Sequence, residues 1–333
     1  MKILIPLAGF GTRLRPLTYT RPKPLLNVAG KPVLGHILDA LAGLEIEEVT
    51  FIIGYLGEQI REFVTRNYHF PARFVEQKEL LGQAHALWLA REGVEGPVLI
   101  IFVDTLFEAD LSDLARLDVD GVIYVKEVED PRRFGVVKTC GPDKTIVRLI
   151  EKPEGFEDRL AVIGLYYVRD GAWLMRAIET LMAERRMTKG EYYLADALQV
   201  MIDQGAHFVA REVAVWEDCG KPETVLATNR YLLDHGHANG SAVPVTNSVI
   251  VPPVYLGKGV VIEESVVGPY ATVADAAIVR RSVVSDSIIG EGALVEDTIL
   301  AASLIGDHAV VRGRPRRLNV GDSSQIDFGG GGE

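Results

Sequence analysis

Short aliphatic runs alternate with segments of helical spacing over the first hundred residues of the chain. Residues 32–44, for example, place their leucine and isoleucine side chains on one face of a helix. Because repeated strand–helix–strand units form parallel strands, the pattern predicts an α/β fold with a doubly wound, mostly parallel sheet. The predicted strands are residues 3–7, 49–53, 72–75 and 98–103, and the predicted helices are residues 32–44, 58–68 and 82–91.

The pattern becomes more mixed between residues 120 and 235. A hairpin is predicted around Gly141-Pro142-Asp143, because this turn sequence separates two β-rich runs. Polar, glycine-containing residues follow the last helix, so we predict one domain over residues 1–236 and a linker over residues 237–247. The further predicted strands are residues 122–127, 134–138, 145–150, 161–168 and 207–213, and the further helices are residues 172–184, 192–204 and 222–233.

Beyond the linker, aliphatic residues recur at every sixth position, and a small residue or proline usually follows four positions later. A period of six fits neither an α-helix nor a flat strand, but it is typical of hexapeptide repeats, which form a left-handed parallel β-helix. Twelve repeats at three per coil predict four coils over residues 248–315, followed by a tail over residues 316–333. The phase moves by four before Val283 and again before Ile299. The sixth positions are Val249, Tyr255, Val261, Val267, Val273, Val279, Val283, Ile289, Val295, Ile299, Ile305 and Val311.

The net negative charge of the chain disfavours some classes of binding partner. The 333 residues carry a formal net charge of -11, which disfavours non-specific binding to nucleic acid or to an anionic membrane. The two cysteines, Cys140 and Cys219, form neither a disulfide framework nor a metal-binding spacing. The chain starts without the apolar stretch of a signal peptide, and its longest apolar run is too short to cross a bilayer. We therefore expect a soluble, cytoplasmic protein with no nucleic-acid or membrane partner.

A glycine-rich segment, residues 7–18, directly follows the first predicted strand. Gly9 and Gly11 let the backbone approach a phosphate, and the N–H groups of such a loop can bind the anion. Arg13 can add a bidentate phosphate contact. The alternatives are a plain glycine turn and a dinucleotide-binding loop, but Leu14 stands where the dinucleotide motif requires its third glycine.

Two charged residues occupy restricted or strand-end positions. Lys23 lies between Pro22 and Pro24, which limit the backbone on both sides, so its side chain is either directed at a ligand or simply on the surface. Asp104 follows the predicted strand 98–103, and the carboxyl ends of central parallel strands are where α/β sheets bind ligands. A helix-capping role is the alternative for Asp104.

Three motifs together resemble the signature of the sugar-1-phosphate nucleotidylyltransferases, the family that includes glucose-1-phosphate thymidylyltransferase. They are Gly-x-Gly-Thr-Arg-Leu-x-Pro-Leu-Thr at residues 9–18, Lys-Pro-Leu-Leu at residues 23–26 and Gly-Lys-Pro at residues 30–32. The resemblance extends to about residue 235. It implies transfer of a nucleotide from dTTP or UTP to a sugar 1-phosphate, with glucose 1-phosphate as the default sugar, pyrophosphate as the second product and Mg²⁺ as the cofactor.

The resemblance also implies a nucleotide site. Arg13 would contact the leaving pyrophosphate, and Lys23 would contact the phosphates at the reacting centre. Gln77 and Gly82, at the family's Gln-x4-Gly spacing, would bind the edge of a pyrimidine base, although a surface residue at a strand end is the alternative for Gln77. The full nucleotide-binding set would be Leu7, Gly9, Gly11, Thr12, Arg13, Gln77 and Gly82.

A metal site is implied at two carboxylates. Asp104 and Asp218 would bind Mg²⁺, which takes few protein ligands and keeps waters and phosphate oxygens. The chain departs from the family at two neighbouring positions. Val103 replaces a glycine before Asp104, and Lys221 replaces a threonine after Asp218, which leaves the role of Lys221 open.

The sugar phosphate would bind beside Glu151-Lys152-Pro153, which matches the family's Glu-Lys-Pro. Glu151 would accept hydrogen bonds from sugar hydroxyls, and Lys152 would neutralise the phosphate, although a solvated charge pair is the alternative reading of the two. The sugar-phosphate set would be Gly135, Glu151, Lys152 and Val162, and the catalytic set Arg13, Lys23 and Lys152.

The implied reaction is an in-line attack by an anionic phosphate oxygen on the α-phosphorus, which needs no general base. Two other functions are weighed against it. An acyltransferase site in the β-helix usually needs a histidine and a long loop, and this region has one histidine, His308. A non-catalytic sensing homologue is disfavoured because the charged positions are present. Exposed faces of the β-helix also predict a homo-oligomer.

Overall fold

The computed structural model describes residues 1–239 and 245–313. The chain separates into two compact units, Met1–Ala238 and a second unit that begins at Asn239. The predicted linker lies partly outside the described residues and the predicted tail lies wholly outside them, so these domain boundaries stay predictions.

Strands and helices alternate along the first unit as the hydrophobic pattern predicts. Its strands are β1 (Lys2–Pro6), β2 (Asn27–Val28), β3 (Lys31–Pro32), β4 (Glu48–Ile53), β5 (Ala72–Glu76), β6 (Val98–Ile101), β7 (Thr105–Glu108), β8 (Gly121–Glu127), β9 (Gly135–Cys140), β10 (Thr145–Glu151), β11 (Leu160–Val168), β12 (Phe208–Glu212) and β13 (Val215–Asp218). Its α-helices are α1 (Val33–Ala40), α2 (Gly57–Asn67), α3 (Gln83–Leu89), α4 (Gly171–Ala183), α5 (Leu194–Asp203) and α6 (Pro222–Leu232).

Nine of these strands form one sheet in the order β5-β4-β1-β6-β11-β8-β12-β10-β9. The four N-terminal strands β5, β4, β1 and β6 are parallel. Strand β11 runs antiparallel to both of its neighbours, β6 and β8, whereas β8 and β12 are parallel to each other. The sheet confirms the predicted α/β fold class.

The centre of the sheet is its most completely buried part. All four residues of β6 are buried, and Ile3, Leu4 and Ile5 of β1 are fully inaccessible to solvent. Because β1 and β6 are parallel neighbours, their carboxyl ends lie at the same edge of the sheet. The glycine-rich segment after β1 and the segment containing Asp104 after β6 therefore leave the sheet side by side.

The hydrophobic pattern misses one strand pair near this edge. Strands β7 and β13 pair antiparallel, with Thr105 opposite Asp218. The strand predicted over residues 98–103 ends at Ile101 instead, because the Phe102 N–H donates to the Gly164 carbonyl, at 2.8 Å, where β11 departs from regular pairing. Gly164 has a φ of 86°, which favours glycine at this irregularity.

In its described residues, the second unit contains twelve short strands in three parallel sheets of four. This arrangement confirms the predicted left-handed parallel β-helix with four coils of three strands. The strands are β14 (Val249–Ile250), β15 (Val254–Leu256), β16 (Val261–Glu263), β17 (Val266–Val267), β18 (Ala271–Val273), β19 (Ile278–Arg280), β20 (Val283–Ser285), β21 (Ile288–Ile289), β22 (Leu294–Glu296), β23 (Ile299–Ala301), β24 (Leu304–Ile305) and β25 (Val310–Arg312).

Five of the twelve sixth positions of the repeat face outward in the β-helix. Val249, Val283 and Ile299 are 57%, 40% and 78% exposed, and the residue after each faces the interior. The reason is the coil length, since equivalent positions in successive coils are 17 or 16 residues apart rather than 18. The outward residues are Val249, Tyr255, Val261, Val283 and Ile299, and Ile250, Leu256, Ile262, Val284 and Leu300 take their places inside.

Among the described residues, no helix is both long enough and apolar enough to span a membrane.

Truncating the Phe208 ring tests the packing of the large sheet. The side chain is fully buried, and its ring lies over Gly121, where an added Cβ would be 2.1 Å from Cε1. We expect Phe208→Ala to lower the free energy of unfolding by about 3–5 kcal/mol. Urea unfolding followed by tryptophan fluorescence measures it, because all three tryptophans lie before residue 239. Phe156→Ala, at an exposed phenylalanine, is the control and should change stability by less than about 0.5 kcal/mol.

Candidate functional site

Three adjoining pockets form one cleft in the first unit, and Phe102 lines all three of them. The glycine-loop pocket, defined by residues from Gly9 to Arg13 with Lys23, has a volume of about 340 Å³. The Glu151 pocket has about 350 Å³, and the Gln77 pocket about 260 Å³. The first two volumes are in the range of small-molecule sites. Every residue of the predicted nucleotide, metal and sugar-phosphate sets lines this cleft.

The two glycines of the loop, Gly9 and Gly11, have different structural roles. Gly11 has a φ of 61°, and a Cβ there would be 3.0 Å from the Lys23 Cβ, so this position needs glycine. The Thr18 hydroxyl donates to the Gly11 carbonyl at 2.9 Å and secures the turn. Gly9 has no atom within 4 Å of an added Cβ, so its backbone is open to the glycine-loop pocket. Leu7 and Thr12 line the same pocket.

Lys23 points into the glycine-loop pocket, so the alternative of a simple surface lysine is wrong. It begins a short 3₁₀ turn, Lys23–Leu25, and its side chain is mostly buried. Its Nζ lies 3.4 Å from Asp104 Oδ2. Arg13, by contrast, is exposed at the border of the glycine-loop and Glu151 pockets. Its guanidinium has no hydrogen bond or ion pair to any residue that the structure describes, so it is available to an anionic ligand.

The pairing of β7 with β13 brings two distant carboxylates together. Asp104 immediately precedes β7, so the alternative of a helix cap is wrong, and Asp218 ends β13. The Cys219 N–H donates to the Asp104 carbonyl at 2.8 Å, and the Gly220 N–H donates to Asp218 Oδ1 at 2.7 Å. Both side chains line the Glu151 pocket. Within residues 1–239 and 245–313, no cluster of three or more metal-ligating side chains occurs.

Gln77 and Gly82 lie together in the Gln77 pocket. Gln77 is only 6% exposed, so the alternative of a surface residue is wrong. Its Nε2 donates to the Gly82 carbonyl at 3.2 Å. Gly82 has a φ of 105°, and a Cβ would be 2.5 Å from the Tyr192 carbonyl oxygen, so only glycine fits there.

Glu151 and Lys152 form a partly buried pair in the Glu151 pocket, together with Gly135 and Val162. The Glu151 side chain is 15% exposed, which excludes a fully solvated pair, and its Oε1 lies 3.8 Å from Lys152 Nζ. Lys152 Nζ also donates to the Tyr193 hydroxyl at 3.2 Å. Burial raises the pKa of the Glu151 carboxyl, and the neighbouring Lys152 charge opposes that rise.

Several residues of the Glu151 pocket were not singled out by the sequence reasoning. Tyr193 contacts Lys152 from the start of α5, and Phe134 packs edge-to-face on Trp216 with ring centroids 5.0 Å apart. No local signal marks Tyr193, because a buried tyrosine before a helix is usual in any core. Lys221 directly precedes α6 and does not line the three pockets.

The cleft can bring two polyanions together. Four cationic side chains, Arg13, Lys23, Arg133 and Lys152, line it. Two carboxylates suited to a divalent cation, Asp104 and Asp218, line it as well. The cationic cluster is local, since the chain as a whole is acidic.

Sequence comparisons match this arrangement to known proteins. The model of the nucleotidyl transferase family matches residues 2–235. The glucose-1-phosphate thymidylyltransferase of Streptomyces antibioticus is 30% identical over 361 residues, covering 98% of this chain and 99% of that protein. The bifunctional proteins GlmU of Methanococcus vannielii and Methanocaldococcus jannaschii are 30% and 32% identical over 80% and 78% of this chain. The chain spans 62% and 61% of the length of these two relatives.

Solved structures share the fold of the first unit. A UDP-glucose pyrophosphorylase complexed with UDP-glucose aligns over 70% of this chain and 98% of that chain, with a TM-score of 0.61 and 22% identity. A putative glucose-1-phosphate thymidylyltransferase from Bacillus anthracis aligns over 69% and 94%, with a TM-score of 0.60 and 24% identity.

Neutralising Glu151 tests the cost of burying its charge. A carboxyl with a raised pKa in the folded protein destabilises the fold at pH values above its ordinary value of 4.5, where the unfolded chain ionises more readily. We expect Glu151→Gln to unfold at higher urea concentration than wild type at pH 7.5. The gain should shrink as the pH falls toward 4.5. Glu62→Gln, on the exposed face of α2, is the control, and an equal gain there would contradict the assignment.

Proposed function

The chain belongs to the nucleotidyl transferase family, and on that premise we propose that it transfers a nucleotide from dTTP or UTP to a sugar 1-phosphate. The main observation in support is that one cleft is lined by the glycine loop, Lys23, the carboxylates of Asp104 and Asp218, and the Glu151-Lys152 pair. The end-to-end similarity to a glucose-1-phosphate thymidylyltransferase supports glucose 1-phosphate as the first sugar to test.

In this proposal the triphosphate binds in the glycine-loop pocket. The open backbone at Gly9 and the turn at Gly11 and Thr12 surround the phosphates, and the unpaired guanidinium of Arg13 binds the pyrophosphate part. The base enters the Gln77 pocket, where Gln77 and Gly82 meet its edge. This pocket shares Pro6, Gly9 and Phe102 with the glycine-loop pocket, so one nucleotide can extend through both.

The sugar 1-phosphate binds in the Glu151 pocket. Glu151 is mostly buried at the end of β10 and accepts hydrogen bonds from the sugar hydroxyls. Lys152 is positioned by the Tyr193 hydroxyl and neutralises the phosphate of the acceptor. Gly135 and Val162 complete this side, where a Cβ at Gly135 would lie 3.0 Å from Glu151 Oε2.

Asp104 and Asp218 would bind Mg²⁺. The donor set fits this ion, because two carboxylates at the border of a phosphate pocket suit a hard cation that retains phosphate oxygens and waters. When bound, the ion neutralises phosphate charge and helps to orient the α-phosphate. The ion pair of Lys23 with Asp104 supports a role for the lysine ammonium at the same phosphates.

The chemistry needs positioning more than proton transfer. An anionic oxygen of the sugar phosphate attacks the α-phosphorus, a new P–O bond forms, and the bond to the β-phosphate oxygen breaks in line with it to release pyrophosphate. The nucleophile is already deprotonated, so no general base is required. Arg13, Lys23 and Lys152 reduce the repulsion between the two anions and stabilise the charge that develops on the leaving group.

The second unit is proposed to assemble copies of the chain. Val249, Val266, Val283 and Ile299 lie in register on the outer face of one sheet of the β-helix, forming an aliphatic column. Such a column supports self-association through a homo-oligomer contact. The strands from Val249 to Arg312 are joined by short turns in the described coils, so an assembly role is preferred here to an acyltransferase site. A cytoplasmic location is also proposed, which two unpaired cysteines support.

Pyrophosphate release tests the transferase. The assay combines dTTP, UTP, CTP, ATP or GTP with the 1-phosphates of glucose, N-acetylglucosamine, galactose or mannose in the presence of Mg²⁺. We expect activity with dTTP or UTP and one preferred sugar. Asp104→Asn should lower kcat by roughly 10²-fold or more, because it removes a carboxylate from the metal site. A chelator should abolish release.

The matched control is Asp118→Asn, at a fully exposed carboxylate that pairs with Arg169, and it should keep wild-type activity. Silence across all pairs, with nucleotide still bound, would contradict catalysis and indicate a sensing homologue. Adding acyl-coenzyme A with an amino-sugar phosphate extends the same assay to the acyltransferase alternative.

A charge on the aliphatic column tests assembly. We expect the wild-type chain to sediment as a multiple of 36.5 kDa and Ile299→Lys to shift it toward the monomer, because a lysine in an apolar contact must be desolvated. Val310→Lys, at an exposed valine on a different sheet, is the control. A monomeric wild-type chain, or equal dissociation by both variants, would exclude the column as the contact.

A further inference from the structure

His85 is a buried histidine beside the predicted base-binding residues that the proposed mechanism does not use. It lies on α3, is 9% exposed, and stacks on Trp88. Its Nδ1 is 3.1 Å from Gln77 Nε2, and the same Nε2 lies 3.2 Å from the Gly82 carbonyl oxygen. Gln77 therefore has two partners inside the protein, and both lie on the nitrogen side of its amide.

The chemistry of these partners determines which way the amide faces. A backbone carbonyl can only accept, so the atom of Gln77 that faces Gly82 must be the amide nitrogen. That nitrogen has two N–H bonds. The second can be donated to His85 only if Nδ1 carries a lone pair, as it does in the neutral ring with its proton on Nε2. Burial lowers the pKa of His85, which the Glu79 carboxylate and backbone carbonyl oppose, and the neutral ring is the form that Gln77 requires.

The oxygen of Gln77 is left for a ligand. No hydrogen bond to Oε1 is present among the described residues, and in that part of the chain no fully buried side-chain nitrogen or oxygen lacks a partner. The small exposed part of Gln77 must then include Oε1. Because Gln77 lines its pocket, this oxygen is the atom that a base meets there. An oxygen can only accept, so the matching edge of the base must carry an N–H.

We propose that His85 is a positioning residue for base selection, which holds the Gln77 amide with Oε1 toward the pocket and so favours uracil and thymine over cytosine. Uracil and thymine present N3–H at the pyrimidine edge, whereas cytosine presents the N3 lone pair, which would face Oε1 acceptor to acceptor. The inference rests on the proposed nucleotidyl transfer and deepens it, since it assigns the pyrimidine preference to a residue outside the pocket lining.

Two substitutions separate positioning from simple packing. His85→Leu keeps an apolar filling but removes the acceptor, so one N–H of Gln77 loses its partner and the amide is restrained by Gly82 alone. His85→Asn restores an acceptor, because its Oδ1 can occupy the place of Nδ1. Trp88→Phe, one turn along α3, is the control for disturbance of the helix.

The first readout is the ratio of kcat/KM for UTP to kcat/KM for CTP, measured with one sugar 1-phosphate. The second is the ratio of the dissociation constants of UTP and CTP, measured by titration calorimetry without the sugar. The wild-type chain should prefer UTP by about ten- to a hundred-fold. The UTP-to-CTP ratio of kcat/KM should fall by about tenfold in His85→Leu, return toward wild type in His85→Asn and stay unchanged in Trp88→Phe. A general loss of stability would lower both terms of the ratio together and leave it unchanged.

Failure of this inference and failure of the proposed function have different signatures. The role of His85 is overturned if the chain turns over UTP and CTP equally. It is also overturned if the UTP-to-CTP ratio of kcat/KM is the same in wild type, His85→Leu and His85→Asn. Either result leaves the transferase intact. A chain without turnover on any nucleotide overturns the transferase, and the calorimetric UTP-to-CTP ratio then still decides the role of His85.

Discussion

The cleft depends on the parallel pairing of β1 with β6 at the buried centre of the large sheet. Parallel neighbours have their carboxyl ends at one edge, so the glycine loop and the segment with Asp104 emerge together. All of β6 and the three central residues of β1 are buried, so a slip of register would force closely packed aliphatic side chains to repack. The glycine loop and the acidic strand end are thus placed by the same hydrophobic core that stabilises the domain.

The buried charges of the cleft lower the stability of the folded protein. Glu151 is buried enough for its pKa to rise, and Lys152 offsets only part of that cost. Lys23 is mostly buried beside Asp104, and Arg13 is left without a partner among the described residues. In the proposed function, the phosphates of the two substrates would pair with Arg13, Lys23 and Lys152, so these three cations suit the bound state better than the free protein. This is the usual relation between a preorganised site and the stability of the protein that carries it.

The β-helix shows how a small difference in coil length changes a surface. A repeat of strictly six residues would turn every sixth aliphatic side chain inward. Coils of 16 or 17 residues place Ile250, Val284 and Leu300 in the interior and leave the preceding aliphatic residues outside. The strand positions that form the core of the β-helix are aliphatic in either case. What changes is the outer face, which carries the exposed aliphatic column of Val249, Val266, Val283 and Ile299.

The sequence by itself determined the elements, the hexapeptide repeat and the family resemblance, because all three depend on spacing between residues that are close in the chain. It also supplied Gln77, Asp104 and Glu151 as candidates, since their motifs are local. Only the tertiary structure decided that Asp104 meets Asp218 through the β7–β13 pair, that Tyr193 contacts Lys152, and that His85 Nδ1 lies beside Gln77 Nε2. Strands of four residues have too few positions to show an alternating pattern, and a buried histidine or tyrosine looks the same in sequence whatever it contacts. Contacts between residues that are distant in the chain depend on long-range packing, which cannot be read from local residue spacing.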